Sequence, residues 1–264
     1  MNEPFKIVIP ARFQSSRLPG KPLLDICGKV MIQRVFDCAI ESGAESVVVA
    51  TDDVRISKVV EEFGGEVVLT SSNHRSGTDR LAEVANAEGW DDDVIVVNLQ
   101  GDEPLMDPQL LFQVADNVQR NENVDMATLA TPISARKDIF DPNVVKVVCN
   151  QSGLALYFTR APVPWVREDY KDDTNRGLPA GIQPLRHLGI YAYRVGALKK
   201  MSALPPCALE QAESLEQLRA LWYGMKIHVG TIDKAPGHGV DTAEDLERVR
   251  QVMTAMHRRE QEKS

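Results

Sequence analysis

Arg12, Arg17 and Lys21 stand close together in a stretch, Pro10 to Leu24, that contains no acidic residue. The hydroxyls of Ser15 and Ser16 lie among them. Three cations and two hydroxyls on one short segment suit the binding of a polyanion such as a triphosphate. The alternative is a solvated basic turn on the surface. A second candidate is Asp102, which follows the apolar run Val94–Leu99 and is preceded by Gly101, a residue that lets backbone and ligand approach closely. An ionised carboxylate there suits Mg2+, which is held through one or two acids when phosphates supply the other ligands. Its competing role is to cap the next helix, for which Asp107 is better placed. A second acid would be needed to fix a metal, and Asp241 qualifies. It lies in the turn Gly237-His238-Gly239-Val240-Asp241-Thr242 ahead of the last helix, where by itself it also reads as a helix cap. Cations beside paired acids would serve transfer at a phosphate.

The elements that must position these groups follow from periodicity. Phe5 to Ile9 is apolar and β-branched, stopped by Pro10, and predicts a short buried strand. Ser15, Ser16, Pro19, Gly20 and Pro22 exclude a regular helix over the cationic stretch. Val30–Ser42 has helical spacing, with Met31, Val35, Cys38 and Ala39 on one face. Ser46–Ala50 predicts a strand, Asp53–Phe63 a helix, and Glu66–Leu69 another strand. A helix from about Thr78 to Ala87, a strand over Val94–Leu99 and a helix opened by Asp107-Pro108 continue the alternation. Such alternation implies a mostly parallel α/β sheet with helices on both faces. Ligands of open α/β sheets sit beyond the carboxyl ends of the strands, so the loops at 10–22, 72–80 and 100–104 are expected to line one crevice.

The second half reads differently. Met126–Thr131, Val144–Val148, Leu154–Thr159 and Leu188–Tyr193 predict strands without full helices between them, hence antiparallel pairing. Ala161–Gln183 is rich in Pro, Gly, Asp and Arg and predicts a mobile flap or partner-contact arm anchored by Trp165. Leu209–Tyr223 predicts a helix, Lys226–Val229 a strand and Thr242–Met256 the closing helix. The simplest architecture is one α/β domain with an antiparallel insertion in its second half.

The 264 residues suffice for a substantial core, and the apolar (43%) and charged (26%) fractions are those of a globular protein. A net charge of −8 argues against a nucleic-acid binder but leaves room for a small anion at the basic stretch. The four cysteines form no C-x-x-C pair, and no run approaches the roughly 18 apolar residues of a membrane span. With no signal-peptide pattern, the chain is expected in the cytoplasm. P-loop, dinucleotide, zinc-protease and serine-hydrolase signatures are all absent.

Five segments then carry a resemblance. Ile9 to Leu23 matches I-P-A-R-x-x-S-x-R-L-P-G-K-P-L, a pattern similar to that of the sugar-acid cytidylyltransferases and, among them, the 3-deoxy-manno-octulosonate (Kdo) cytidylyltransferase family. His74-Arg75-Ser76-Gly77-Thr78-Asp79-Arg80 resembles the family's H-x-S-G-T-E-R, with Asp79 in place of Glu. Arg186–Tyr193, Leu215–Arg219 and Gly239–Leu246 (similar to G-V-D-T-x-E-D-L) complete the match. It covers residues 5 to 250, is weakest over Arg167–Pro184, and departs from the family where Val166 follows Trp165.

The resemblance implies a Rossmann-like nucleotide-diphospho-sugar transferase fold in a single domain. In it residues 1–125 bind CTP, 126–230 bind the sugar acid and dimerise, and 231–264 return to form the last helix. It implies transfer of CMP from CTP to the anomeric hydroxyl of Kdo, releasing pyrophosphate, for lipopolysaccharide biosynthesis. Mg2+ would lie between Asp102 and Asp241. Arg12, Arg17, Lys21, Asp102 and Asp241 would be catalytic, and Ala11, Arg12, Arg17, Lys21, Ser76, Gly77, Arg80 and Asp102 would meet the nucleotide. For the sugar acid, Arg160 and His187 would supply positive charge to its carboxylate, and Glu216 and Gln217 acceptors for its hydroxyls, with Gln100 beside them. From its own sequence context His187 also reads as a core histidine on a strand. A homodimer without nucleic-acid or membrane partners is implied. An 8-amino-Kdo or other sugar-acid cytidylyltransferase, a glycosyltransferase of related fold and a non-catalytic nucleotide-binding module stay as alternatives.

Overall fold

The computed structural model of the chain describes residues 4–15, 17–74, 76–170, 177–179, 181–237 and 239–261. The chain forms two compact units, Met1–Gln113 with Pro236–Ser264, and Val114–Ala235.

In the first unit β1 (Phe5–Ala11) pairs in parallel with β4 (Ser46–Thr51) and β6 (Ile95–Asn98), and β4 pairs in parallel with β5 (Glu66–Leu69). β1 is therefore central, and Ile7, Val8 and Ile9 are wholly buried. It runs through Pro10 instead of stopping there. Pairing with β6 ends at Val8 opposite Asn98, while β4 continues alongside Pro10 and Ala11. The proline thus lacks an N–H only where no strand asks for one. A small hairpin, β2 (Asp25–Ile26) with β3 (Lys29–Val30), leads into α1 (Met31–Glu41), whose expected face of Met31, Val35, Cys38 and Ala39 is buried. α2 (Val54–Glu62) starts at the capping carboxylate of Asp53, and α3 (Gly77–Ala87) at a reciprocal cap between Ser76 and Asp79. α4 (Pro108–Arg120) begins with the Gln109 N–H donating to Asp107 Oδ1 at 2.9 Å.

In the second unit β7 (Met126–Pro132) pairs antiparallel with β10 (Leu185–Arg194), and β8 (Lys146–Cys149) pairs antiparallel with both β10 and β9 (Ala155–Thr159). The antiparallel second half is as expected, except that β11 (Ile227–Thr231) joins β7 in parallel. Short helices fill the connections: α5 (Arg136–Phe140), α6 (Val195–Ala203), α7 (Ala208–Glu213) and α8 (Gln217–Trp222). The single helix expected over Leu209–Tyr223 is broken, because Ser214 adopts a left-handed conformation (φ 52°) and ends α7. The closing helix, α9 (Ala243–Gln261), belongs to the first unit.

Trp165 is not the anchor of the segment expected to be a flap: it is 59% exposed. Tyr170 anchors it instead, 6% exposed and grouped with Ile133 and Ile139, its ring edge-on to Phe140 at 5.3 Å. The rest of that expectation, at 171–176 and 180, lies outside the described residues, as do the expectations for Ser16, Arg75 and His238. No helix of the described residues is long and apolar enough to cross a membrane.

Candidate active site

Beyond the carboxyl end of β1, Ala11, Arg12, Gln14, Ser15, Arg17 and Lys21 line a cavity of about 320 Å³ with Gln100, Gly101, Asp102 and Asp241. The cationic loop is closed by its own backbone: Gly20, at φ 68°, donates to Phe13 O at 3.1 Å, and Leu18 N–H donates to Ser15 Oγ at 3.2 Å. A side chain at Gly20 would strain this turn. The Phe13 ring in turn lies under the Arg55 guanidinium at 3.3 Å, a cation–π contact that ties the loop to α2.

Asp102 and Asp241 are brought together by backbone. Val240 N–H donates to Asp102 O at 2.8 Å, and the Val240 side chain is sealed among Ile26, Met31, Leu246 and Val249. Gly239 permits this approach, since a Cβ there would sit 3.2 Å from Asp102 O, and Gly101 lets the same loop lie against β1, where a Cβ would sit 2.9 Å from Pro10 O. Neither acid is occupied as a helix cap. Asp107 serves α4, while α9 is capped by Thr242 and Asp245, whose main-chain and side-chain groups bond reciprocally at 3.0 and 3.2 Å. Both acids converge instead on Lys21. Its Nζ donates to Asp102 Oδ2 at 2.6 Å and to Val240 O at 2.9 Å, and Asp241 Oδ1 lies 3.4 Å away. Arg17 reaches the same Asp241 oxygen at 3.0 Å.

Three oxygens of two acidic segments thus surround one positive charge. That is the donor chemistry of a hard divalent cation, with the remaining positions left for phosphate oxygens. Among the described residues no group of three or more His, Cys, Asp or Glu side chains gathers for a metal.

The loop at 72–80 meets the cavity through Arg12, whose Nη2 donates to His74 O at 2.6 Å and to Ser76 O at 3.5 Å. Gly77 lies against Pro10, where a Cβ would come to 3.3 Å. The Ser76 hydroxyl accepts from Asp79 N–H at 3.2 Å and so caps α3. Arg80 is not brought to the cavity. Its guanidinium is wholly buried, bonded to Thr70 Oγ1 and, at 3.1 Å, to Asp52. Arg80 is not among the residues that line the cavity, so the structure does not bring the expected nucleotide contact to it.

The residues expected to meet a sugar acid divide between the units. Gln100 belongs to the first and lines the cavity, its amide donating to Asn98 Oδ1 at 3.2 Å. His187 is on β10, where the register slips between Leu188 and Tyr191 against β7. The irregularity leaves the His187 and Tyr191 rings 5.4 Å apart on one face, with Phe158 edge-on to His187 at 4.9 Å. Burial pushes the His187 pKa down to about 3. Burial thus favours the neutral imidazole near pH 7, against the positive charge expected of it. Its Nε2 lies 3.0 Å from Thr128 Oγ1, and that hydroxyl faces the carbonyls of Leu188 and Ile190 at 3.0 and 2.7 Å. With its one hydrogen directed at a carbonyl, Thr128 accepts from Nε2–H and leaves Nδ1 as an acceptor.

Arg160 is held firmly, donating from Nε to Glu213 O at 2.7 Å and from Nη1 to Pro142 O at 2.9 Å. Glu216 precedes α8 and lies 3.7 Å from Arg219, and Gln217 is 6% exposed with its Nε2 buried and without a hydrogen-bond partner among the described residues. Tyr191 was not expected. Burial, followed by the charges of Tyr193 and Glu216, pushes its phenol well above the usual tyrosine range. The signal for it was present in Arg186–Tyr193, where apolar residues drew attention to the strand and away from its hydroxyl.

Comparison with known proteins agrees with this geometry. A cytidylyltransferase family model matches residues 6–227. The 3-deoxy-manno-octulosonate cytidylyltransferase of Hahella chejuensis is 57% identical over 94% of this chain and 97% of its own. The enzyme of the same name from Thioalkalivibrio sulfidiphilus is 55% identical over 95% and 99%. A solved structure of CMP:2-keto-3-deoxy-manno-octonic acid synthetase complexed with CTP superposes with a TM-score of 0.86 at 44% identity, covering 96% of this chain and all of that one. The chain belongs to the cytidylyltransferase family and, within it, to the 3-deoxy-manno-octulosonate cytidylyltransferases.

Proposed function

We infer that this protein transfers CMP from CTP to the anomeric hydroxyl of Kdo, giving CMP-Kdo and pyrophosphate, and so supplies lipopolysaccharide biosynthesis. The observation that carries the reading is the convergence of Lys21, Asp102, Val240 O and Asp241 beside the basic loop at the end of β1. The triphosphate lies against Ala11, Arg12, Arg17 and Lys21. Arg12, braced by the loop that Ser76 and Gly77 complete, neutralises the phosphate chain. Asp102 and Asp241 would hold Mg2+, which would supply Lewis-acid charge at the phosphate and lower the pKa of the attacking hydroxyl. Lys21 stabilises the charge that grows on the departing pyrophosphate.

For the acceptor, Arg160 provides the cation for the sugar carboxylate. His187, neutral, accepts a hydroxyl at Nδ1, and Glu216, Gln217 and Gln100 take further hydroxyls. Arg80 serves the fold. On this reading the first unit binds CTP and the second binds the sugar acid. Exposed Leu156, Trp165 and Trp222 on the second unit support a homodimer, and four unpaired cysteines support the cytoplasm.

The test is a substrate panel. Four nucleoside triphosphates are combined with Kdo, 8-amino-Kdo and no sugar acid, with Mg2+, and pyrophosphate is measured. Release with CTP and Kdo above all other pairs is the expected result. Preference for 8-amino-Kdo would move the assignment to that acceptor, and release without any sugar acid would contradict transfer.

A further inference from the structure

Among the described residues Arg12 is held at the cavity by the carbonyl oxygens of His74 and Ser76, and carbonyls hold a guanidinium only where the loop carrying them is itself fixed. Ser76 is fixed as the cap of α3. His74 is fixed by a different residue. Its Nε2 is bonded to Oε2 of Glu83, two turns into α3, and the same oxygen accepts the N–H of Ser71 at 2.9 Å. Ser71 Oγ then accepts from Asn73 N–H at 3.1 Å. One carboxylate therefore gathers the first and last parts of the 71–74 turn. Leu81, Ala82, Val84 and Ala85 on either side of Glu83 are buried, which anchors the helix that presents it. Burial raises the Glu83 carboxyl, and the bonds from Ser71 and His74, with the charges of His74 and Arg80, outweigh it, so its pKa lies below the ordinary value. The acid is charged whenever the loop is gripped.

We propose that Glu83 is a positioning residue for nucleotide chemistry: through His74 it sets the carbonyls that aim Arg12 into the cavity. Neither Glu83 nor His74 lines the cavity itself; the link to it is the His74 carbonyl, which accepts from Arg12. The proposal rests on the reading of the cavity as the CTP site.

The test is a double-substitution cycle in the full-length protein, measuring kcat and KM for CTP at saturating Kdo, with thermal melts of every variant. Glu83→Ala is expected to lower kcat/KM for CTP about tenfold, within the range of coupled neighbours, and to leave the KM for Kdo unchanged. In an Arg12→Ala background the same change is expected to have no further effect, because the group it positions is gone. Glu83→Gln, which keeps both acceptor contacts, is expected to recover most of the loss. If Glu83→Ala fails to fold, His74→Asn cuts the same link from the other end and carries the same cycle. Equal losses with and without Arg12, or a loss shared by the KM for Kdo, would make Glu83 a structural residue only and overturn the proposal. An unsubstituted protein without sugar-dependent pyrophosphate release would instead remove the reading of the site on which the cycle rests.

Discussion

Replacing Lys21 with Met keeps the buried stem of the side chain and deletes its charge. The structure then separates two effects. Before CTP arrives, the ammonium is already satisfied by Asp102 at 2.6 Å, Val240 O at 2.9 Å and Asp241 at 3.4 Å. Binding CTP exchanges these partners for phosphate oxygens, one set of charge-assisted bonds for another. The net contribution to ground-state affinity is therefore small, within about 1 kcal/mol or roughly fivefold in the CTP dissociation constant. Charge on the leaving pyrophosphate has no such precedent in the free enzyme. Losing a preorganised donor at that stage costs about 2.7–4 kcal/mol, or roughly 10²–10³ in kcat. Pyrophosphate release at saturating Kdo gives kcat, and calorimetric titration gives CTP affinity. A kcat within about threefold of the unsubstituted enzyme, or an equal fall in affinity and turnover, would refute the reasoning and place Lys21 in ground-state binding.

Asp102→Asn and Asp241→Asn should each lower kcat roughly 10²-fold by loss of one electrostatic contact, and the double variant should be little worse than the poorer single one. Excess Mg2+ or Mn2+ should partly restore each single variant; a fully active Asp241→Asn would remove that acid from the site. Arg80→Met should lower stability by about 3 kcal/mol in denaturant titration, by breaking a buried ion pair from one side, with little change in the CTP KM of the folded fraction. A large KM change at unaltered stability would return Arg80 to the nucleotide. His187, with its folded pKa near 3 and an ordinary value of 6.5, takes up its proton in the unfolded chain first. Its contribution to stability is present above pH 6.5 and declines as pH falls toward 3, with a slope of up to about 1.4 kcal/mol per pH unit. Denaturation at pH 7 and pH 5 should show less acid loss for His187→Asn than for the unsubstituted protein, and equal losses would contradict a neutral histidine.

The parallel half was legible because its strands are apolar runs and its helices carry caps. The boundaries of β5 coincide with Glu66–Leu69, and the predicted face of α1 is the buried one. What misled were residues whose meaning depends on distant partners. Pro10 reads as a stop locally, yet β1 passes it because β6 has already ended. Nothing around Ser214 announces that a helical pattern will be cut by a left-handed residue. At the site, residue type and spacing identified Arg12, Arg17, Lys21 and Asp102, all of which line one cavity. Asp241 reads by itself as a helix cap and was identified through the resemblance; the cap formed by Thr242 and Asp245 shows that its carboxylate is directed elsewhere. The charge states of His187 and the destination of Arg80 depend on burial, which a linear pattern does not carry.

Cytidylyl transfer to a sugar hydroxyl in the first-unit cavity is expected to depend on Asp102 and Asp241. This is tested by 31P NMR of CTP, Kdo and Mg2+ incubated with the unsubstituted protein and with the Asp102→Asn, Asp241→Asn double variant. CMP-Kdo and pyrophosphate are expected in equal amounts, only when Kdo is present, and almost none with the double variant. Pyrophosphate accompanied by free CMP, or equal product from the double variant, would contradict it.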